Sequence, residues 1–159
     1  MKPAWLAKVP PAWRARMVRM GFNLHPAFRG TGGRVEHVAP DLSHIRIRLP
    51  LSWRTRNVVG SIYGGSLFAV TDGLHPMMLM AALGEDVIVW DKAASIRYRK
   101  PGYSTLYADF SLDADEVALA IESARLPGKK WNIGFFSMGS IANPDIIPAV
   151  ARYRSPSRF

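Results

Sequence analysis

Two adjacent glycines followed by a single acid are the residues of this chain best suited to chemistry. Gly64 and Gly65 precede an apolar segment, and Asp72 follows Gly65 by seven residues. Glycine allows close backbone approach, and the unpaired N–H groups of a helix that starts there would have the helix dipole behind them. Such a helix start favours a bound anion or a developing oxyanion. Seven residues make about two helical turns, so Asp72 would project from the same face as the helix start.

The same spacing has a purely structural interpretation. Gly64 and Gly65 can form a tight turn, and Asp72 can lie on the solvated stripe of an amphipathic helix, because acids are mostly exposed. An acid among the apolar residues 67–74 is costly only if it is desolvated. Spacing alone therefore leaves the catalytic and the structural interpretation equally open.

Other arrangements of catalytic residues are missing from the sequence. There is no cysteine, no Gly-x-Ser-x-Gly elbow and no Walker-type phosphate loop, which disfavours a triad hydrolase or a kinase. The histidines lack the short spacings of metal ligands, so we expect no metal site. They are His25, His37, His44 and His75. His75 follows Asp72 by three residues and is a candidate catalytic partner if the helix continues through Gly73.

Residues 57–72 resemble the central-helix motif of hot-dog-fold acyl-CoA thioesterases of the phenylacetyl-CoA type. In that family the motif is Asn-x-x-Gly-x-x-His-Gly-Gly, with an acid seven residues after the second glycine. This chain matches the motif at Asn57, Gly60, Gly64, Gly65 and Asp72. It departs at Tyr63, which stands where those enzymes usually carry histidine. Residues 90–102 are similar to an uncharacterised thioesterase-like branch, and the order of elements is similar over roughly residues 28–154.

The resemblance implies an acyl-CoA thioesterase that hydrolyses a thioester to free acid and CoA, with CoA as part of the substrate and no separate cofactor. The backbone N–H of Gly65 would polarise the thioester carbonyl. Asp72, helped by Asn57, would activate or orient water or attack directly. Tyrosine has a pKa near 10, so Tyr63 cannot act as a base at neutral pH and Asp72 must do any base chemistry.

Further residues are candidates for binding the substrate: Tyr63, Gly64, Ser66, Arg97 and Arg99. The two arginines would lie either on a solvated strand face or against the phosphates of CoA. The tyrosine in place of histidine leaves a second function open, namely a hot-dog protein that binds acyl-CoA or a fatty-acyl ligand without turnover. A third interpretation is a basic nucleic-acid binder. Among the three we favour the thioesterase and expect no nucleic acid as a partner.

The composition is that of one globular domain. The 159 residues include 48% hydrophobic and 21% charged residues, which is enough for one core and too apolar for intrinsic disorder. The absence of cysteine argues against a disulfide framework and is compatible with a reducing compartment, so we expect a cytoplasmic protein. We recognise no secretory signal in residues 1–20, and we expect no membrane span.

Basic residues are concentrated at the start of the chain. The sequence has 21 Lys and Arg against 12 Asp and Glu, a net charge of +9 that would attract polyanions such as CoA. All charged residues before Glu36 are Lys or Arg. Such a start is compatible with a transit peptide, a nucleic-acid arm or a membrane-surface helix. We favour a helix packed on its own domain, because Trp13, Met17 and Met20 share one side of it.

The order of elements predicts an α+β protein in which an antiparallel sheet wraps around a long central helix, the hot-dog fold. We predict a single domain of residues 1–159. Its residues 1–22 form an N-terminal extension with an extra helix that starts at a proline and ends near Gly21. The predicted strands are residues 34–40, 44–49, 87–90, 93–100, 103–112, 129–141 and 146–154, with turns at residues 41–43 and 143–145. Residues 87–90 and 93–100 are either a strand pair or one bent strand.

The central helix is predicted at residues 64–83, with apolar residues on most sides. Gly73 and Pro76 weaken it, and we expect a kink or a break just after Asp72. Residues 113–121 follow as a short helix or as a further strand. The resemblance implies a homodimer or a dimer of dimers, in which the acid faces a loop of the other subunit.

Overall fold

The computed structural model describes residues 9–83, 89, 94, 96–124, 141–143 and 146–149. The helices are α1 (Pro11–Leu24), α2 (Pro26–Gly30), α3 (Gly64–Ala69), α4 (Leu74–Leu83) and α5 (Ala114–Ala124). The strands are β1 (Arg34–Val38), β2 (His44–Leu49), β3 (Leu106–Ser111), β4 (Ile141–Asn143) and β5 (Ile146–Ala149). The strands form one antiparallel sheet in the order β1-β2-β3-β4-β5, so the predicted α+β class is confirmed.

β1 and β2 form the first hairpin predicted from the sequence. Ile45, Ile47 and Leu49 are buried on one side of β2, and the residues that alternate with them are more exposed. The connecting turn is stabilised by Asp41, whose carboxylate accepts hydrogen bonds from the backbone N–H and the hydroxyl of Ser43 at 3.0 and 2.7 Å. Short acids favour turns because they can bond to the backbone two residues further on.

β3 extends the sheet with the same alternation of burial. Leu106, Ala108 and Phe110 are buried and lie opposite Leu49, Ile47 and Ile45 of β2. The residues after β3 form α5, so the helical alternative for this segment is confirmed. Some predicted elements lie outside the described residues: 87–88, 90, 93, 95, 129–140, 144–145 and 150–154.

The predicted strand at residues 93–100 is wrong where the structure describes it. Residues 96–99 belong to no strand. The segment is held instead by Tyr98, whose hydroxyl donates a hydrogen bond to the carbonyl oxygen of Gly64 at 2.9 Å. An alternating pattern predicts a strand, but it cannot distinguish a strand from an extended loop that is fixed by a long-range side-chain contact.

The central apolar stretch consists of two helices. Residues 70–73 separate α3 from α4, so the break predicted just after Asp72 is confirmed, although it begins two residues before that acid. Gly73 has a φ of +78°, a left-handed conformation that glycine adopts without strain. Pro76 is the third residue of α4, where its missing N–H has no partner within the helix in any case. These two residues therefore end one helix and start the next.

The core lies between the sheet and the central helices. Val70, Leu74 and Met78 are buried together with the inward side chains of β2 and β3. The 20 residues Gly64–Leu83 are long and apolar enough to cross a membrane by length and composition, with a hydropathy of 1.3. Half of that stretch is buried inside the domain, as in the core helix of a soluble protein. We interpret it as the core helix of this fold.

α1 packs on the sheet, but through a different side from the one predicted. Ala15 is buried, and Val18 and Phe22 pack against the core. The side-chain amide of Asn23 fixes the helix on β1, because it donates to the carbonyl oxygen of Val35 at 2.9 Å and accepts from its N–H at 2.8 Å. The helix also continues to Leu24 instead of ending near Gly21.

The side of α1 that we predicted to dock faces the solvent. Trp13, Met17 and Met20 have exposed fractions of 58%, 36% and 48%. α1 has apolar residues on two opposite sides, and the small side chain of Ala15 lets the other side approach β1 closely. The helical spacing of apolar residues identifies both sides, but it does not show which side packs on the domain.

We predict that Gly73→Ala lowers the free energy of unfolding by about 1 kcal/mol or more, because alanine is strained at positive φ. A Cβ at Gly73 would meet no atom within 4 Å, so the effect isolates the backbone conformation. Gly21→Ala is the matched control, since it also has open space but lies inside α1, where alanine is the better helix former. Denaturant unfolding of both variants checks this, and equal shifts in the same direction would contradict it.

Candidate functional site

Asn57 organises the loop that leads to the glycine pair. Its amide nitrogen donates to the hydroxyl of Ser61 at 2.8 Å, and its amide oxygen accepts from the backbone N–H of Ser61 and of Val59 at 3.0 and 3.1 Å. These bonds fold residues 57–61 into a closed turn. In this protomer the side chain therefore acts within its own loop, and its help to Asp72 stays a prediction.

The loop is anchored to the body of the domain by Thr55, which sequence reasoning did not identify. Its side chain is buried, and its hydroxyl donates to the carbonyl oxygen of Pro50 at 2.6 Å and accepts from the N–H of Ser52 at 2.9 Å. Its carbonyl oxygen accepts from the N–H of Tyr63 at 2.7 Å. The residue before the glycine pair is thus fixed through the backbone, not through its side chain.

The glycine pair starts a helix, as predicted. Tyr63 is the N-cap residue of α3 and makes no side-chain capping bond. Its carbonyl oxygen accepts the hydrogen bond of Leu67 at 3.1 Å, which leaves the N–H groups of the first turn directed out of the helix. Gly65 is exposed, and a Cβ there would overlap the ring of Tyr63. The glycine therefore makes room for the tyrosine ring that lies against the helix start, while Ser66 is buried behind it.

The segment with the two candidate arginines lies beside the helix start. The hydroxyl of Tyr98 bonds to the carbonyl oxygen of Gly64, and a Cβ on Gly64 would touch the same ring. Arg97 and Arg99 flank Tyr98 and are exposed. The structure therefore brings the arginine segment and the glycine pair together. No sequence spacing could reveal this contact, because the partners are 34 residues apart.

Asp72 lies in the turn between α3 and α4, and it is exposed. It lines a cavity of about 390 Å³ that the N-terminal helices close on the other side. The cavity is lined by Phe22, His25, Ala27, Phe28, Thr31, Ala69 and Asp72. Sequence reasoning did not connect His25 with Asp72, because their sharing of one cavity depends on how α1 and α2 fold back onto the domain. Asp72 therefore borders a cavity whose walls are largely apolar.

Gly65 and Asp72 occupy different parts of the central segment. Gly65 lies in the first turn of α3, and Asp72 lies three residues past its end, in the turn before α4. At a helical rise of 1.5 Å per residue, seven residues separate them by roughly 10 Å. Both residues are exposed.

His75 is placed differently from Asp72. It is 2% exposed in the first turn of α4, and burial lowers the pKa of its imidazole to about 4, so the ring is neutral at pH 7. The contact expected three residues after Asp72 requires a continuous helix, whereas the left-handed Gly73 interrupts it. His75 therefore belongs to the core.

The outer face of the sheet has a separate charged cluster. The guanidinium of Arg46 donates to both carboxylate oxygens of Asp109 at 2.8 and 3.0 Å, and His44 lies 3.0 Å from the same carboxylate. Burial alone would raise the pKa of Asp109, but these hydrogen bonds outweigh it and lower the pKa. The residues pair across β2 and β3, so their role is structural. Within the part of the chain that the structure describes, His, Asp and Glu form no group of three that could hold a metal ion.

Comparisons with other proteins identify a family and a fold. A family described as a domain of unknown function (DUF4442) matches residues 14–131, which include the candidate site residues named above. No curated protein matches the chain.

Several solved structures share the fold. One is a protein of unknown function from Chlorobaculum tepidum, with a TM-score of 0.65 and 20% identity over 91% of this chain and 93% of that one. Another is a Pseudomonas aeruginosa protein described as a probable thioesterase, with a TM-score of 0.55 and 21% identity over 69% and 72%. A third is Escherichia coli PaaI from the phenylacetic acid degradation operon, with a TM-score of 0.52 and 17% identity over 87% and 86%. The hot-dog fold predicted from the sequence is confirmed.

We predict that acid destabilises the protein through His75. The unfolded imidazole titrates near pH 6.5 and the folded one at about 4, so between these values the unfolded state binds more protons and stability falls as the pH falls. The loss approaches about 1.4 kcal/mol per pH unit and totals about 3 kcal/mol. Denaturant unfolding between about pH 7 and pH 4 measures it.

His75→Leu should flatten this dependence relative to the parent protein, because leucine has no proton to bind. His37→Gln, at an exposed histidine, is the control and should keep the parent slope. If the free energy of unfolding of His75→Leu depends on pH as steeply as that of the parent protein, His75 does not titrate in this way.

Proposed function

The chain belongs to the DUF4442 family, and from this premise, together with the hot-dog fold, we propose that it hydrolyses acyl-CoA thioesters to free acids and CoA. The observation that carries the proposal is Asp72, an exposed carboxylate at a largely apolar cavity, at the end of a helix that starts with a glycine pair. The probable-thioesterase description of a structural relative supports the same activity.

In the proposed reaction the N–H of Gly65 donates a hydrogen bond to the thioester carbonyl oxygen. Asp72 removes a proton from water, and the hydroxide attacks the carbonyl carbon to form a tetrahedral oxyanion. The carbon–sulfur bond then breaks and the proton held by Asp72 goes to the departing thiolate. The products are the carboxylic acid and CoA, and Tyr63 takes no part in proton transfer.

The site requires self-association, as a homodimer or a dimer of dimers. Gly65 lies at the start of α3 and Asp72 lies past its end, roughly 10 Å away at a helical rise, which favours a carbonyl held between two chains. In a two-fold dimer the glycine pair of one copy faces Asp72 of the other, and each dimer then has two equal sites. Exposed apolar residues on and beside α3 are available for such a contact: Val58, Val59, Tyr63 and Phe68.

The two ends of the substrate go to different parts of the site. The acyl group enters the cavity beside Asp72, whose walls include Phe22 and Phe28. The phosphates of CoA bind to Arg97 and Arg99, which the Tyr98–Gly64 hydrogen bond places next to the helix start. The net charge of +9 would attract the polyanionic substrate. A cytoplasmic location, expected from the absence of cysteine, is part of the proposal.

A second candidate function is acyl-ligand binding without turnover. Tyr63 stands where the enzymes that this chain resembles carry histidine. Its ring lies against Gly65, whose N–H is the proposed hydrogen-bond donor to the thioester carbonyl. If the ring keeps that position with ligand bound, the carbonyl cannot reach the N–H. The ligand would still be held through its acyl group and its phosphates.

We predict that Asp72→Asn lowers the hydrolysis of acyl-CoA by about two orders of magnitude or more while acyl-CoA still binds, because the amide keeps the shape but cannot take a proton. A panel of acyl-CoA esters with a thiol reagent measures CoA release, and calorimetry measures binding. Asp115→Asn, at an exposed acid in the first turn of α5, is the control and should retain full activity.

Equal turnover in Asp72→Asn and the parent protein would remove this acid from the mechanism. Binding without turnover in the parent protein itself would favour the acyl-ligand binding function instead.

A further inference from the structure

α1 has an apolar side that no part of the described chain covers. Trp13, Met17, Met20 and Leu24 follow one another at helical spacing and have exposed fractions of 58%, 36%, 48% and 63%. At 100° per residue they fall within about 60° of the helix circumference. These four residues are called the outward stripe below. Single exposed apolar side chains are ordinary, but four in a row on one helix indicate a contact surface.

The outward stripe is not needed for the fold of the domain. α1 is already docked on the opposite side through Ala15, Val18 and Phe22. The hydrogen bonds of Asn23 to β1 fix its orientation. The helix is therefore held with one apolar side on the sheet and the other in the solvent.

The charges around the outward stripe have one sign. Arg16 lies beside it and is exposed, and its guanidinium lies 5.7 Å from the centre of the Trp13 ring. Arg19 lies nearer the docked side, where its guanidinium donates a hydrogen bond to the carbonyl oxygen of Glu36 at 3.4 Å. α1 contains no acid, and the first acid in the sequence is Glu36. An apolar row next to Arg16, on a helix without acids, complements a surface that is apolar below and anionic above.

We propose that the outward stripe docks the protein on a membrane surface that contains anionic lipids. A helix of this kind lies in the plane of the interface, with its apolar side among the acyl chains and Arg16 at the lipid phosphates. Tryptophan suits that position because its ring is apolar and its N–H is polar. A nucleic acid would satisfy the arginines but would leave Trp13, Met17 and Met20 without an apolar partner.

Docking would bring the end of α1 that borders the cavity of Asp72 close to the lipid. α1 ends at Leu24 of the outward stripe, and the next residue, His25, lines that cavity together with Phe22 of the same helix. Amphiphilic acyl compounds concentrate at membrane surfaces, so a docked protein would meet them near this cavity. Docking itself does not depend on the proposed hydrolysis and is tested without it.

Vesicle sedimentation of the full chain tests the proposal, with vesicles of phosphatidylcholine alone and of phosphatidylcholine mixed with phosphatidylglycerol. We expect the protein to sediment with the anionic vesicles, less so as salt is added, and not with the neutral ones. Replacing two stripe residues, Trp13→Glu with Met20→Glu, should weaken binding roughly tenfold or more. Arg16→Gln should weaken it about fivefold, the usual effect of one basic residue near an anionic surface.

Trp53→Glu is the matched control, because Trp53 is 83% exposed but lies in the loop before α3, and it should bind like the parent protein. Leu24→Ser is a milder stripe variant in case the double variant folds poorly, and unfolding midpoints check the folding of each.

Three results would overturn the proposal: no sedimentation of the parent protein with anionic vesicles, equal sedimentation with neutral vesicles, or full binding by the folded stripe variants. A change of oligomer size in the stripe variants, measured by light scattering without lipid, would also overturn it, because the occupant would then be a second copy of the chain.

Discussion

Asp72 is the one acid within the apolar stretch Gly64–Leu83, and a carboxylate without a partner is among the groups most costly to move from water into a core. The break at residues 70–73 resolves this conflict between the helix and the acid. α4 buries its apolar side chains and His75, whereas Asp72 stays in the turn and is exposed. In a continuous helix Asp72 and His75 would lie on one face, and the acid would be drawn into the core with the histidine. The exposed acid and the closed core therefore both depend on the break that Gly73 and Pro76 produce.

Backbone contacts position the other half of the site. The N–H of Tyr63 is held by Thr55, and the carbonyl oxygen of Gly64 is held by Tyr98. A site built on backbone groups tolerates a change of side chain, which explains how Tyr63 can stand at the histidine position without disturbing the start of α3. The tyrosine side chain still affects the site, because its ring lies against Gly65. The position of that ring is what separates the proposed hydrolase from the proposed binding protein.

Local patterns in the sequence predicted much of the fold. The alternation in β2, the Asp41 turn and the combination of Gly73 with Pro76 each have their cause within a few residues, and each was confirmed. The side on which α1 docks was predicted wrongly, because two apolar sides fit the same helical period and β1 selects between them through Asn23. The loop at residues 96–99 was predicted as a strand for a similar reason, since a single contact to Gly64 holds it. The common cavity of His25 and Asp72 and the position of Thr55 behind the loop were missed, because both arise from tertiary packing.

The proposed site takes Gly65 from one copy and Asp72 from another, and a complementation assay tests this arrangement most directly. Two differently tagged chains, one with Asp72→Asn and one with Gly65→Val, are produced together and the mixed dimer is isolated. Valine at position 65 keeps the N–H, but its side chain would overlap the Tyr63 ring and crowd the place where the carbonyl binds. Each variant alone then has no intact site, whereas the mixed dimer has one intact site of two, so we expect about half of the parent acyl-CoA hydrolysis. A mixed dimer no more active than the separate variants would contradict the shared site.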